Sequence, residues 1–212
     1  MSCCKTEGTN RFFSRQASRM SQRFRNKGLG KSQMSLVEGI KRGGIEDKDI
    51  LEIGFGVGFL HMSLLETGAR GAVGVEISEG MAKEAEKLAE ELSYSDRVDY
   101  HLGDFVEIAP ELPEADITIL DKVICCYPDA ESLVNRSLGK TRDIYAVTYP
   151  RPTWWVWLGF KVQVFVMKLL RFSFHPFYHD SDRIQGWIRA QGFEKIHEDR
   201  TPIWLTLVYQ KQ

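Results

Sequence analysis

A chain of 212 residues is long enough for one domain with a full-sized core. Apolar residues make up 43%, charged residues 27%, and the formal net charge is -1, so no global charge draws the chain toward nucleic acid or a membrane. The start, Ser2-Cys3-Cys4-Lys5, runs into polar, arginine-rich sequence with no apolar stretch, which does not read as a signal peptide.

Residues 1–31 hold eight Lys or Arg and one acid, Glu7. Arg11, Arg15, Arg19 and Arg23 recur at every fourth position, a basic stripe along one predicted helix with Phe12, Phe13, Ala17, Met20 and Phe24 on its apolar side. Three uses fit it: a solvated arm packed on the domain, a lid with basic groups over a ligand, or a membrane-surface helix. Gly28 and Gly30 end it, and 32–41 reads as a second helix.

From Asp49 the elements alternate. Apolar strands are expected at 49–53, 72–77, 97–102, 115–120 and 143–149, with helices at 59–67, 79–94 (capped by Ser78) and 130–138 between them. After an apolar tract at 154–174, Asp180 or Ser181 caps a helix running to Ala190, Gly192 stops it, and 193–199 and 203–210 give two last strands. Strands alternating with helices predict an α/β fold, a doubly wound parallel sheet with ligands at the carboxyl ends of the strands. No internal repeat divides the chain. Residues 1–212 read as a single domain, with 1–45 a helical arm and 153–176 an apolar insertion over a substrate site.

The centre of this reading is 49–60, DILEIGFGVGFL. An apolar strand ends in Gly54, Gly56 and Gly58, and a helix follows at once. Such a turn lets a ligand lie against bare backbone, with the N–H groups of the helix start facing it. The spacing is G-x-G-x-G, and Phe59 stands where the dinucleotide fingerprint requires its third glycine, which argues against a dinucleotide oxidoreductase. Glu76 closes the second strand roughly 20 residues further on, where an acid accepts both ribose hydroxyls of an adenosine. Asp104, with Phe105 beside it, follows the third strand, and Asp121 the fourth.

The segments ILEIGFGVG, VGVEIS, HLGDF and ITILDKVICCYPD resemble the ordered motifs of the class I S-adenosylmethionine-dependent methyltransferases. The resemblance covers nearly all of 49–212. It implies a Rossmann-like seven-stranded sheet, mostly parallel with the last strand antiparallel, and S-adenosyl-L-methionine as cofactor. Glu52, Gly54, Gly56 and Gly58 would wrap its methionine end. Glu76 and Ile77 would hold its sugar, Asp104 and Phe105 its adenine, and Asp121 the cofactor or its loop. LDKVICCYPD is most similar to small-molecule members, including the magnesium-protoporphyrin type, whose pattern here is L-D-x-x-x-H-Y-P-like. This chain has Cys126 at the histidine position and a loop one residue longer, which argues against a porphyrin carboxylate substrate. The N/D-P-P-Y pattern of base- and amide-methylating enzymes is missing, so no nucleic-acid target is expected.

Methyl transfer needs alignment of nucleophile, methyl and sulfur, and a base only when the nucleophile carries a proton. Tyr127 and Cys126 are the catalytic candidates, Tyr127 as a group that orients a substrate oxygen. The four cysteines form two adjacent pairs, Cys3-Cys4 and Cys125-Cys126, too few and too close for a disulfide scaffold, which points to a reducing cytoplasm. Together the pairs would suit a thiophilic ligand, but adjacent cysteines lack metal-site spacing, the five histidines show none either, and no metal is assigned. The tract 153–174 has the length of a membrane span but contains Lys161, Gln163, Lys168 and Arg171, which a span tolerates badly. It reads instead as a substrate-covering helix whose Trp154, Trp155 and Trp157 line an apolar pocket, as a helix packed on the core, or as a shallow membrane-docking helix. The function expected is methyl transfer to a small apolar or aromatic molecule. The alternatives are a protein- or lipid-bound target, or a cofactor-binding module without turnover.

Overall fold

The computed structural model describes residues 3–212, with side chains from residue 7 onward. Its strands are β1 (Asp49–Ile53), β2 (Gly71–Glu76), β3 (Val98–Leu102), β4 (Ala115–Asp121), β5 (Thr141–Pro150), β6 (Phe193–Arg200) and β7 (Trp204–Lys211). They form one seven-stranded sheet in the order β3-β2-β1-β4-β5-β7-β6. The pairs β1–β2, β1–β4, β2–β3 and β4–β5 are parallel, and β7 runs antiparallel to both β5 and β6. The chain winds outward from β1 to β3, then returns to start β4 on the other side of β1. That reversal opens a crevice above the carboxyl ends of β1 and β4.

Helices cover both faces. On one lie α1 (Cys3–Ser14), α2 (Ala17–Lys27), α3 (Lys31–Arg42), α4 (Phe59–Glu66) and α5 (Glu79–Glu91). The other carries α6 (Phe105–Ile108), α7 (Ala130–Leu138) and, after α8 (Trp154–Leu169), α9 (Ser181–Ala190). Alternation along β1 divides its side chains between the two cores: Ile50 packs with Leu36, Ile40 and Leu64, while Leu51 and Ile53 pack with Leu133, Tyr145 and Ile188. Glu52 therefore shares the face of Ile50, toward α4.

The arm is two helices, not the single one that the four-residue arginine spacing predicts. The chain turns at Arg15-Gln16, where the Gln16 N–H reaches the Phe13 carbonyl at 2.9 Å. The reason is tertiary. Ser14 Oγ accepts the Gly80 N–H at 3.0 Å and lies 3.0 Å from Ser78 Oγ, and Asn10 Oδ1 accepts the Glu79 N–H at 3.1 Å. The arm thus supplies partners for the free N–H groups at the start of α5, a demand that a straight helix would not meet. The apolar tract is helical only to Leu169, after which 170–180 returns as a loop. No helix among the described residues is long and apolar enough to cross a membrane.

Candidate active site

The turn after β1 puts Gly54, Gly56 and Gly58 all at positive φ, 65°, 58° and 84°. Two of these glycines have different jobs. A Cβ on Gly54 would meet Val123 at 2.5 Å, so bare backbone there lets the β1 and β4 tips approach each other. A Cβ on Gly56 would meet nothing within 4 Å, because that face of the turn borders open space.

The space is a cavity of about 1550 Å³, floored by the glycine turn and the tips of β2 and β4 and roofed by the arm, α8 and 173–177. At its floor Glu76 is buried, and its carboxylate accepts the N–H groups of Gly56 (2.9 Å), Ile77 (2.8 Å) and Ser78 (2.9 Å). Oε1 takes two of these bonds and Oε2 one, which leaves one acceptor position on Oε2. Burial raises the Glu76 pKa against the opposing pull of those three N–H groups. Asp104 caps α6 through the Val106 N–H at 2.9 Å, and the Tyr127 hydroxyl donates to both its oxygens, at 3.1 and 3.0 Å. Burial raises the Asp104 pKa, and burial and then the Asp104 charge raise that of Tyr127. The hydroxyl that the sequence offers to a substrate oxygen is thus held by Asp104. Ile77 and Phe105 add apolar wall beside these two acids.

Asp121 ends β4 and is held by Lys122 Nζ at 3.0 and 2.8 Å and by Gln33 Nε2 of α3 at 3.0 Å. Gln33 also accepts the Gly30 N–H at 3.1 Å, so Asp121 ties the arm to the sheet. Cys125 and Cys126 both direct their S–H to the Lys122 carbonyl at 3.3 Å. The hydrogen bond with Cys125 and then burial push the Cys126 thiol well above its ordinary pKa, which disfavours the thiolate that a soft metal would need. The side chains of Cys3 and Cys4 lie outside the described residues. Among the described residues no three of His, Cys, Asp and Glu gather as a metal site.

Two histidines that sequence reading set aside prove central. His61, in the first turn of α4, is fully buried; its Nδ1 lies 2.6 Å from Glu52 Oε2 and its Nε2 lies 2.7 Å from the Tyr100 hydroxyl. The signal was present, since an acid on the α4-facing side of β1 must find a partner in the helix above it. His175 lies on the cavity wall, and its Nε2 is buried with no hydrogen-bond partner among the described residues. Its segment is fixed to the β4 loop by the Phe177 N–H to the Cys125 carbonyl at 2.7 Å and by His179 Nε2 to the Tyr127 carbonyl at 2.9 Å.

The tryptophans correct the sequence expectation. All three are exposed to solvent, and of them Trp155 alone also lines the cavity. The aromatic wall comes instead from Phe12, Phe13 and Phe174, whose rings lie 5.1–5.2 Å apart, together with Phe160.

The family model described as a methyltransferase domain matches residues 50–138, the glycine turn through α7. Residues 50–138 thus carry a methyltransferase domain, and the chain has the Rossmann-like methyltransferase fold. Among solved structures, the magnesium protoporphyrin IX methyltransferase of Synechocystis PCC 6803 with bound SAH is similar at 19% identity and a TM-score of 0.67, over 85% of this chain and 82% of that one. An O-methyltransferase family 2 protein of Planctomyces limnophilus in complex with apigenin is similar at 16% identity and a TM-score of 0.66, over 92% of this chain and 62% of that one. The [4+2]-cyclase SpnF is similar at 13% identity and a TM-score of 0.63, over 84% of this chain and 81% of that one. A comparison with curated proteins finds no match. The methyltransferase fold here has a site that fits the family's cofactor: an open cradle at Gly56, a free acceptor position on Glu76, and apolar walls for a flat ring.

Proposed function

We propose that this chain transfers a methyl group from S-adenosylmethionine to a small apolar or aromatic molecule whose acceptor atom carries a proton. The observation that carries the reading is the cavity. Its volume of about 1550 Å³ exceeds the roughly 300–1,000 Å³ of a typical single-ligand pocket, which leaves room for a second molecule beside a cofactor. Its polar acceptors sit at the glycine end, and Phe12, Phe13, Phe160 and Phe174 line the part away from them.

When bound, the cofactor supplies a methyl group on a sulfonium. In this reading Gly54, Gly56 and Gly58 present backbone to its methionine end, with Glu52 and His61 bracing that turn from below. Glu76 accepts from the sugar through the position left on Oε2. Asp104, oriented by Tyr127, faces the adenine, and Asp121 keeps the arm closed over the site. The phenylalanines of the arm and α8 exclude water and seat the acceptor. His175, whose ring lines the cavity, is the residue placed to take the proton that the acceptor loses, once a turn of the ring exposes Nε2, which is buried without a hydrogen-bond partner among the described residues. Four cysteines in two adjacent pairs, too few and too close for a disulfide scaffold, support a reducing compartment such as the cytoplasm.

Calorimetry with S-adenosylhomocysteine, followed by its release assay on a panel of phenols and aromatic amines, tests the reading. Binding with turnover on a panel member is expected. An absence of heat at millimolar product rejects the cofactor, and heat without turnover on any member rejects the substrate class.

A further inference from the structure

The outward face of α8 is not explained by the cavity. Residues Val156, Gly159, Phe160, Gln163 and Met167 face the cavity at three- and four-residue spacing. On the opposite side Trp154, Leu158, Val162, Phe165 and Leu169 form a second stripe at the same spacing, and it is bare: Trp154 is 75% exposed, Phe165 68% and Leu169 70%. Leu170 and Phe172 extend it past the helix end. A contiguous apolar stripe of this kind marks a docking surface.

The charges around it select the occupant. From Arg151 to His179 the sequence holds Arg151, Lys161, Lys168 and Arg171 and not one acid. Lys161 Nζ sits 3.7 Å above the Trp157 ring, and both flank the stripe, a cation and an amphipathic ring side by side. The arm adjoins the far end of the tract, with Phe12 packed against Phe172 and Phe174 and Ser173 Oγ donating to the Gly8 carbonyl at 3.1 Å, and it contributes exposed Arg11 and Arg15. A second copy docking here through a twofold contact would bring like charges together with no acid on the tract to pair them. An anionic lipid surface accepts both the apolar stripe and its basic flanks. Sixteen residues at about 1.5 Å each are shorter than the roughly 30 Å hydrocarbon core, so the helix lies on a bilayer and does not cross it.

We infer that α8 docks this protein onto the surface of an anionic phospholipid bilayer, with Trp154, Leu158, Phe165 and Leu169 in the headgroup–acyl boundary and Lys161, Lys168 and Arg171 on lipid phosphates. The inference is separate from the methyl-transfer reading, and its test needs neither cofactor nor acceptor.

The test is flotation of the full chain with vesicles of phosphatidylcholine alone and of phosphatidylcholine mixed with phosphatidylglycerol, with tryptophan emission recorded in parallel. The protein is expected to float with the mixed vesicles, its emission shifting to the blue. Neutralising Lys161, Lys168 and Arg171 to Gln is expected to lower partitioning on the order of 100-fold. Phe165→Glu is expected to abolish flotation with an unchanged thermal melt, since the side chain is exposed in the free protein. Failure of the wild-type chain to float with the mixed vesicles would overturn the inference, as would flotation indifferent to Phe165→Glu. So would self-association in the absence of lipid that Phe165→Glu dissolves, which would make the partner a second copy.

Discussion

His61 Nδ1 lies 2.6 Å from Glu52 Oε2, and the same oxygen accepts the His61 backbone N–H at 3.2 Å. A strand residue two positions before the glycine turn and a helix residue three positions after it are thereby locked together with almost no water present. The turn between them is held from beneath, and its backbone faces the cavity in a fixed shape.

Breaking that lock has a structural cost. His61→Ala leaves the Glu52 carboxylate buried with the backbone N–H of residue 61 but without its side-chain partner, and a loss of about 3–5 kcal/mol in unfolding free energy is expected from urea titration. Tyr100→Phe removes only the outer hydrogen bond and is expected to cost about 1 kcal/mol. Equal effects of the two variants would mean that Glu52 does not depend on His61.

The two glycines separate fold from ligand. Gly54→Ala drives a methyl into Val123 as well as straining a positive φ, and a large drop in melting temperature is expected. Gly56→Ala has space for its methyl, so strain alone applies, about 1–2 kcal/mol. That methyl enters the cradle, however, and calorimetry is expected to show at least a tenfold weaker affinity for S-adenosylhomocysteine.

Glu76 makes cofactor binding sensitive to acid. Burial raises its pKa, and a carboxylate that accepts three backbone N–H groups and offers its one remaining position to a sugar hydroxyl must be ionised. Binding therefore favours the deprotonated form: affinity is full above the raised pKa and falls as pH drops through it, at higher pH than for an exposed glutamate. Glu76→Gln is expected to weaken binding roughly 10- to 100-fold, the worth of a charge-assisted hydrogen bond, and to flatten the acid limb of the affinity profile. An unchanged limb in the variant would assign the titration to another group, Asp104 first.

His175 is a proton acceptor in the proposed reaction. His175→Gln is expected to lower kcat about 10²- to 10⁴-fold with product affinity unchanged, measured by steady-state kinetics and calorimetry on the same preparation. A loss in affinity with kcat intact would make it a binding residue.

The order of the strands, the doubly wound sheet and the glycine turn were legible in the sequence, because each rests on local periodicity and on residue types with few conformational choices; the break in the arm and the short α6 were not. The acids at strand tips were legible too, since a parallel sheet places every tip on one side. What each acid touches was not. The Tyr127 hydroxyl reaches Asp104 across 23 positions, Gln33 reaches Asp121 across 88, and the Gly80 N–H that stops the first arm helix comes from 66 positions away. Only packing sets such distances. The apolar tract shows the limit most clearly: α8 carries apolar residues on every side, and Lys161, Gln163 and Lys168 do not mark one face as the polar one, so its sequence is a poor guide to which side is buried. Tertiary structure alone turned Met167 and Val156 inward, left Trp154 and Phe165 bare, and brought His175 to the cavity without a partner.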